Sequence, residues 1–170
     1  KSFPINLGVF NNATPIIKLD TNSNKYFLDQ KGTYFFVVQN YSNKDLEFIF
    51  QNSQSKLFIQ GVFKNVNFNF INEFNNGEKL SEESRYDKNL LTGCVNFFDT
   101  TFEKISIRSV DMTCEDSVNI KNSKGHIENV VINNSLYDAF DLDFSKLDIK
   151  SININNAKND CLDFSFGHYK

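Results

Sequence analysis

Three short segments in the C-terminal half of the chain repeat one another at a fixed interval. They are Glu115-Asp116-Ser117-Val118-Asn119-Ile120, Tyr137-Asp138-Ala139-Phe140-Asp141-Leu142 and Asn159-Asp160-Cys161-Leu162-Asp163-Phe164. Their aspartates, Asp116, Asp138 and Asp160, lie 22 residues apart twice over. Other columns keep the same interval: Ile105, Ile127 and Ile149; Val110, Ile132 and Ile154; Val118, Phe140 and Leu162; Ile120, Leu142 and Phe164. Asn133 recurs as Asn155, and Asn134 as Asn156. An earlier coil extends the pattern if Asn96 joins the Val118 column and Phe98 the Ile120 column. A repeat of this size marks an architecture in which each unit buries its apolar side only by stacking on its neighbours.

The repeat is made of strands. Its apolar residues alternate, as at 118 and 120, 140 and 142, or 152 and 154, which is the period of a strand with one face inward. No segment holds a helical period, and no regular leucine framework is present. Twenty-two residues accommodate about three short strands and their turns, with coils stacked about 4.8 Å apart. Identical columns then touch, so apolar columns fill an interior and asparagine columns bond along the axis at turns. The 19 Phe among 170 residues suit such a core, because flat aromatic rings stack well on pleated surfaces. The expected fold is all-β: a right-handed parallel β-helix, or solenoid, of 22-residue coils.

Upstream the pattern loosens. Gly61-Val62-Phe63-Lys64-Asn65-Val66 resembles Gly125-His126-Ile127-Glu128-Asn129-Val130, at an offset of 64, two short of three periods. The polar, charged stretch 72–91 reads as a loop inserted into a coil, which absorbs the mismatch. Residues 1–45 show one clear strand, Thr33–Val38 after Gly32, and read as a capping segment; 46–170 read as the coils. Phe164–Lys170 stops within a coil, so further coils are expected beyond Lys170.

A net charge of -3 with no basic stripe argues against nucleic acid as a partner. No apolar run reaches the roughly 18 residues of a membrane span, so none is expected in this fragment. Three cysteines, Cys94, Cys114 and Cys161, cannot all pair. Small buried core residues are the plain reading, and a Cys94–Cys114 bridge is the alternative. His126 and His168 do not share a column and read as surface residues.

Chemistry, if the chain performs any, falls to two acidic columns. One is Asp116, Asp138 and Asp160, placed before a strand near a turn. The other is Asn119, Asp141 and Asp163, set between two inward apolar columns and therefore facing outward; Asp143 follows on the middle coil. Carboxylates stacked at the coil spacing repel and raise one another's pKa unless a donor or cation intervenes. Such a separation also approaches that of paired glycosidase carboxylates. The plainer alternative is that an aspartate before a strand accepts backbone N–H bonds and recurs because its turn recurs.

The stretch Tyr137–Asp141 with Asn159–Asp163 resembles the central coils of polygalacturonase-type glycoside hydrolases, which carry Asn-Thr-Asp and, one coil later, Asp-Asp-Cys. In that register Asp138 matches the first aspartate and Asp160 the second residue of the Asp-Asp pair. Asn159 stands where the other acid would be, and the Gly-His-Gly and Arg-Ile-Lys motifs have no counterpart. More of the chain resembles uncharacterised bacterial β-helix repeat proteins with the pattern Glu-Asp-Ala-Leu-Asn, Ser-Asp-Ala-Phe-Asp and Asp-Ala-Ile-Asp. Here these read Glu115–Asn119, Tyr137–Asp141 with Asp143-Phe144-Ser145, and Asn159–Asp163. That resemblance implies an extracellular, periplasmic or cell-surface setting.

The expectation from sequence is a module that recognises or processes an extended polysaccharide. Asp138, Asp141, Asp160 and Asp163 are the candidate catalytic residues, as in a lyase, hydrolase or epimerase. Asp116, Asn119 and Asp143 are the candidate substrate-binding residues. Calcium, held by Asp141 and Asp163, is the cofactor such a site would take. The competing expectation is a non-enzymatic structural or adhesive module whose Asp and Asn ladders serve the fold alone.

Overall fold

A computed structural model describes residues 16–74 and 91–170. Every strand pairing in it is parallel, and the strands stack as a β-helix of about six turns. Three faces run along its axis. The first stacks Ile16–Lys18, residues 32–37 and 55–60, Gly93–Phe98, Asp116–Lys121, Asp138–Asp143 and Leu162–Ser165. The second stacks 40–42, 62–64, 101–103, 124–127, Lys146–Ile149 and His168–Tyr169. The third stacks Lys25–Leu28, Leu46–Phe50, Asn67–Asn72, 106–110, 129–135 and Ile152–Ala157. Within the segment 1–45, Ile16–Lys18, Lys25–Leu28 and most of Gly32–Ser42 lie in these ladders.

The interior follows the alternation. Val118 stacks on Phe140 and Phe140 on Leu162, while Ile120 stacks on Leu142 and Leu142 on Phe164. Phe140 is wholly buried. Towards the N-terminal end the core is aromatic: Tyr26, Phe48 and Phe70 form one column, with ring centroids 4.9 and 5.6 Å apart. Flat rings suit stacking at the coil spacing of about 4.8 Å.

Side chains also pair along the outside at the coil interval. Lys25 bonds Glu47 at 2.6 Å and Asn69 bonds Glu47 at 3.1 Å. Lys64 meets Glu103, and Lys150 meets Glu128. An acid facing a base or an amide in the next coil favours the correct register, as cross-strand pairs do.

Corners use left-handed backbone. Asn43 and Asn65 adopt it at one corner, Asp111, Asn134 and Asn156 at another, and Asp99, Asn122, Phe144 and Phe166 at the corner after the first face. Asparagine tolerates this conformation, and its amide reaches the equivalent residue below: Asn65 to Asn43, Asn122 to Asp99, Asn134 to Asp111 and Asn156 to Asn134. Beside the last of these corners runs an internal hydroxyl column. The Ser123 Oγ accepts the Thr100 N–H, and the Ser145 Oγ accepts the Ser123 N–H, both at 3.0 Å. Two coils replace what the backbone lacks at a tight turn.

Three registers differ from the sequence reading. Asn96 pairs with Asn119, not Val118; Val95 and Phe97 take the inward columns. Val110 pairs with Asn133, and Ser109 occupies the Ile132 column. Gly61 precedes the Val62–Thr101–Lys124 column, which puts it level with Ser123 and not with Gly125. For Asn96 and Val110 the cause is that some coils hold 23 residues, as between Gly93 and Asp116, and one extra residue shifts a column and exchanges its faces; Gly61 is displaced by two residues, which keeps its face.

The inserted stretch 72–91 falls mostly outside the described residues. Its flanks are in register: Leu57 pairs with Val95, 38 residues on, so 16 residues beyond the usual 22 enter between Asn72 and Gly93 without disturbing the stack. Cys94 and Cys114 form a disulfide, which decides the cysteine question for the bridge over the plain reading. Cys161 is free and exposed. The bridge ties the start of one first-face strand to the connection entering the next.

Candidate functional site

The first face carries both acidic columns, and the structure separates their roles. Asp138 opens a first-face strand and holds the turn of the next coil. It is buried, and its Oδ1 accepts the Asn159 amide at 2.6 Å and the Asp160 backbone N–H at 2.9 Å. One carboxylate oxygen thereby anchors the turn of the following coil. Asp160 is exposed, and its carbonyl accepts the Ala139 N–H. Within this column the structure favours the capping role for Asp138.

The second column changes character along the axis. Asn96 and Asn119 are buried, Asp141 is half-buried and Asp163 is exposed. Asn96 is committed to the backbone, donating to the Gly93 and Leu57 carbonyls and accepting the Gly93 N–H. Gly93 is confined by this arrangement: a Cβ there would lie 2.9 Å from Asn96 Oδ1 and 3.1 Å from Asn119 Cβ. Asn119 bridges two acids. Its amide donates to Asp141 Oδ2 at 2.5 Å and also approaches Asp116 Oδ2 at 3.5 Å and Thr92 Oγ1 at 3.4 Å.

The electrostatics follow from burial. Loss of solvent pushes the Asp116 carboxyl up to about 6, against hydrogen bonds from Thr92 and Asn119 that lower it. Asp141 is pushed up to about 7, chiefly by burial and then by Asp116, Asp143 and Asp163, with Lys121 opposing. Near neutrality Asp141 therefore exchanges a proton readily, a property suited to acid–base work. Asp143 lies two residues further along the strand and pairs with Lys121 at 3.2 Å. Like charges facing one another across strands cost stability. Asp116 under Asp138, and Asp141 under Asp163, depart in this from the compensated columns elsewhere.

Asp116, Asn119, Asp138, Asp141, Asp143, Asp160 and Asp163 thus share one face, but not one cluster. The tight unit is Asp116–Asn119–Asp141, with Asp163 beside Asp141. Among the described residues no group of three or more His, Cys, Asp or Glu side chains is placed to hold a metal ion. His126 lies on the second face between Glu128 and Asp148, away from these acids. The sequence reading passed over Thr92 and Lys121, whose polar partners only the stacking reveals. It also passed over Phe144 and Phe166, exposed at the end of the same strands. Their appearance at a corner position that holds Asp99 and Asn122 in earlier coils was the available signal.

Among the described residues no helix is long and apolar enough to cross a membrane. No protein-family model matches the chain, and no curated protein and no solved structure does either.

Proposed function

We propose that this chain is an exported β-helix module that recognises or processes an extended polysaccharide along its first face. The observation that carries the reading is the Asn119–Asp141–Asp163 row. It stacks one polar group per coil, of which half-buried Asp141 and exposed Asp163 reach solvent, and among the described residues these two carboxylates lack the basic partner found in other columns. A glycan hydroxyl would donate to these carboxylates and replace the missing partner. The disulfide supports an extracellular, periplasmic or cell-surface setting, because such bonds persist in oxidising compartments. The coil length and acidic segments agree with the resemblance to bacterial β-helix repeat proteins and, at a greater distance, to polygalacturonase-type enzymes.

If chemistry accompanies binding, Asp141 is the group that would carry the proton, with exposed Asp163 as its neighbour in the next coil. Asp138 then positions the turn and does not react. The second reading, a structural or adhesive module, draws support from Asp138, whose Oδ1 holds the turn of the following coil. Calorimetry of the whole chain with oligosaccharides, beside the variant Asp141→Asn with Asp163→Asn, tests the choice. Binding that the variant loses while its melting temperature holds supports the glycan reading. No binding by the wild type, together with an earlier-melting variant, supports the structural one. Release of reducing ends or of unsaturated products separates processing from recognition.

A further inference from the structure

The inserted stretch rejoins the first face at Leu91 and Thr92, and three ties hold it there. Lys56, a buried first-face residue, donates from its ammonium to the Leu91 carbonyl at 2.7 Å and the Thr92 carbonyl at 3.1 Å. A buried ammonium costs the fold unless its protons are bonded, and this one is bonded to the returning chain. The Cys94–Cys114 bridge ties the residues just after Thr92 to those just before Asp116. The Asp116 N–H meets the Thr92 carbonyl at 3.5 Å. Chain that returns from an insertion is ordinarily a mobile part of a coil; here it is braced from both sides.

What the brace positions is the Thr92 side chain. Its hydroxyl bonds the Asp116 carboxylate, and its oxygen lies 3.4 Å from the Asn119 amide nitrogen. That nitrogen donates to Asp141 Oδ2 at 2.5 Å and lies 3.5 Å from Asp116 Oδ2. Asn119 Nδ2 thus faces three acceptor oxygens. This fixes the amide, because the reversed orientation would set its carbonyl against theirs with no hydrogen between. The Thr92 hydroxyl has a second effect: it engages Asp116, which would otherwise compete with Asp141 for the Asn119 N–H. One oxygen of Asp141 is thereby committed. The other, Oδ1, has no hydrogen-bond partner among the described residues and is not closed off from solvent.

We infer that Thr92 is the positioning residue of the acidic row: held by Lys56 and the bridge, it directs the Asn119 amide onto Asp141 Oδ2 and leaves Asp141 Oδ1 for a sugar hydroxyl. The inference rests on the glycan reading above. It makes the residue that closes the insertion, and not the stacked coils alone, part of what shapes the site.

The test compares two variants of the full chain. Thr92→Val removes the hydroxyl and keeps the shape; Thr92→Ser keeps the hydroxyl. Hydrogen exchange of the Asn119 side-chain amide is followed by NMR, and binding by calorimetric titration with cellohexaose and hexagalacturonate. Thr92→Val should speed the exchange and weaken the sugar that binds, each roughly threefold to tenfold, the scale of one lost hydrogen bond. Thr92→Ser should restore both. If the valine disturbs packing and the variant melts early, Thr92→Ala beside Thr92→Ser repeats the comparison. Unchanged Asn119 exchange without the hydroxyl, or sugar binding kept in full, overturns the role of Thr92 and leaves the glycan reading standing. Equal losses in the valine and serine variants overturn it too, since packing and not the hydroxyl then matters. No binding of either sugar by the wild type overturns the glycan reading and the role of Thr92 together.

Discussion

Replacing Asp141 by asparagine should stabilise the protein above neutral pH and leave it unchanged in acid. The amide is nearly isosteric, and its carbonyl can still accept the Asn119 amide that now reaches Asp141 Oδ2 at 2.5 Å. What disappears is the cost of ionising a half-buried carboxyl beside Asp116, Asp143 and Asp163. A folded-state pKa of about 7 against an ordinary 3.8 means that the fold favours the protonated form. The stability this proton brings is full below about pH 4 and is lost as pH rises through about 7. At 1.36 kcal/mol per pH unit the rise corresponds to about 4 kcal/mol. Solvent screening at a half-exposed group reduces that to about 1–2 kcal/mol. The wild type should therefore lose about that much between pH 4 and pH 8 from this group, and Asp141→Asn should recover it at pH 8. Urea titrations at pH 4, 6, 7 and 8, followed by circular dichroism, measure the difference. Equal midpoints for both proteins at pH 8, or a variant less stable there than at pH 4 relative to wild type, would refute the burial argument.

Phe140→Ala should cost about 3–5 kcal/mol, because the ring is wholly buried between Val118 and Leu162 and the rigid coils cannot collapse into the space; a urea titration that shows under about 1 kcal/mol would contradict the inward assignment. Tyr169→Phe should cost about 1–2 kcal/mol. Its single hydroxyl hydrogen is shared between the Leu142 carbonyl at 3.0 Å and the Ser165 carbonyl at 3.3 Å, and its oxygen accepts the Ser145 N–H, completing the hydroxyl column where Gly167 supplies none. Thermal melting of that variant beside Gly167→Ala checks this, since a Cβ at Gly167 would fall 2.3 Å from the Tyr169 ring and should be at least as harmful. Reducing Cys94–Cys114 should remove about 3 kcal/mol, the loop-closure value for residues 20 apart; a melting temperature indifferent to reductant would show that the stacked coils alone hold this connection.

The architecture was legible because a solenoid writes its geometry into the sequence. Stacked coils put equivalent residues in contact, so Val118, Phe140 and Leu162 face the same environment and resemble one another. The alternation around them showed which columns point inward, and the acidic columns appeared as Asp116, Asp138 and Asp160 beside Asn119, Asp141 and Asp163. The one-residue excess in some coils was not legible. A turn absorbs an extra residue silently, so a strict period of 22 sets Asn96 and Val110 each one position from their true columns.

Sequence by itself determined the repeat, the parallel stacking, the aromatic core and the face on which the acids gather, since each depends on contacts between equivalent residues. Tertiary structure alone decided what each polar group meets. It gave Asp138 to a turn, placed Asn119 between Asp116 and Asp141, joined Cys94 to Cys114, brought Tyr169 back over Ser145 and left Phe144 and Phe166 facing solvent. Those outcomes depend on how corners bend and how deeply a side chain sinks, and a corner's bend is set by non-equivalent residues on neighbouring coils, whose proximity no period in the chain records.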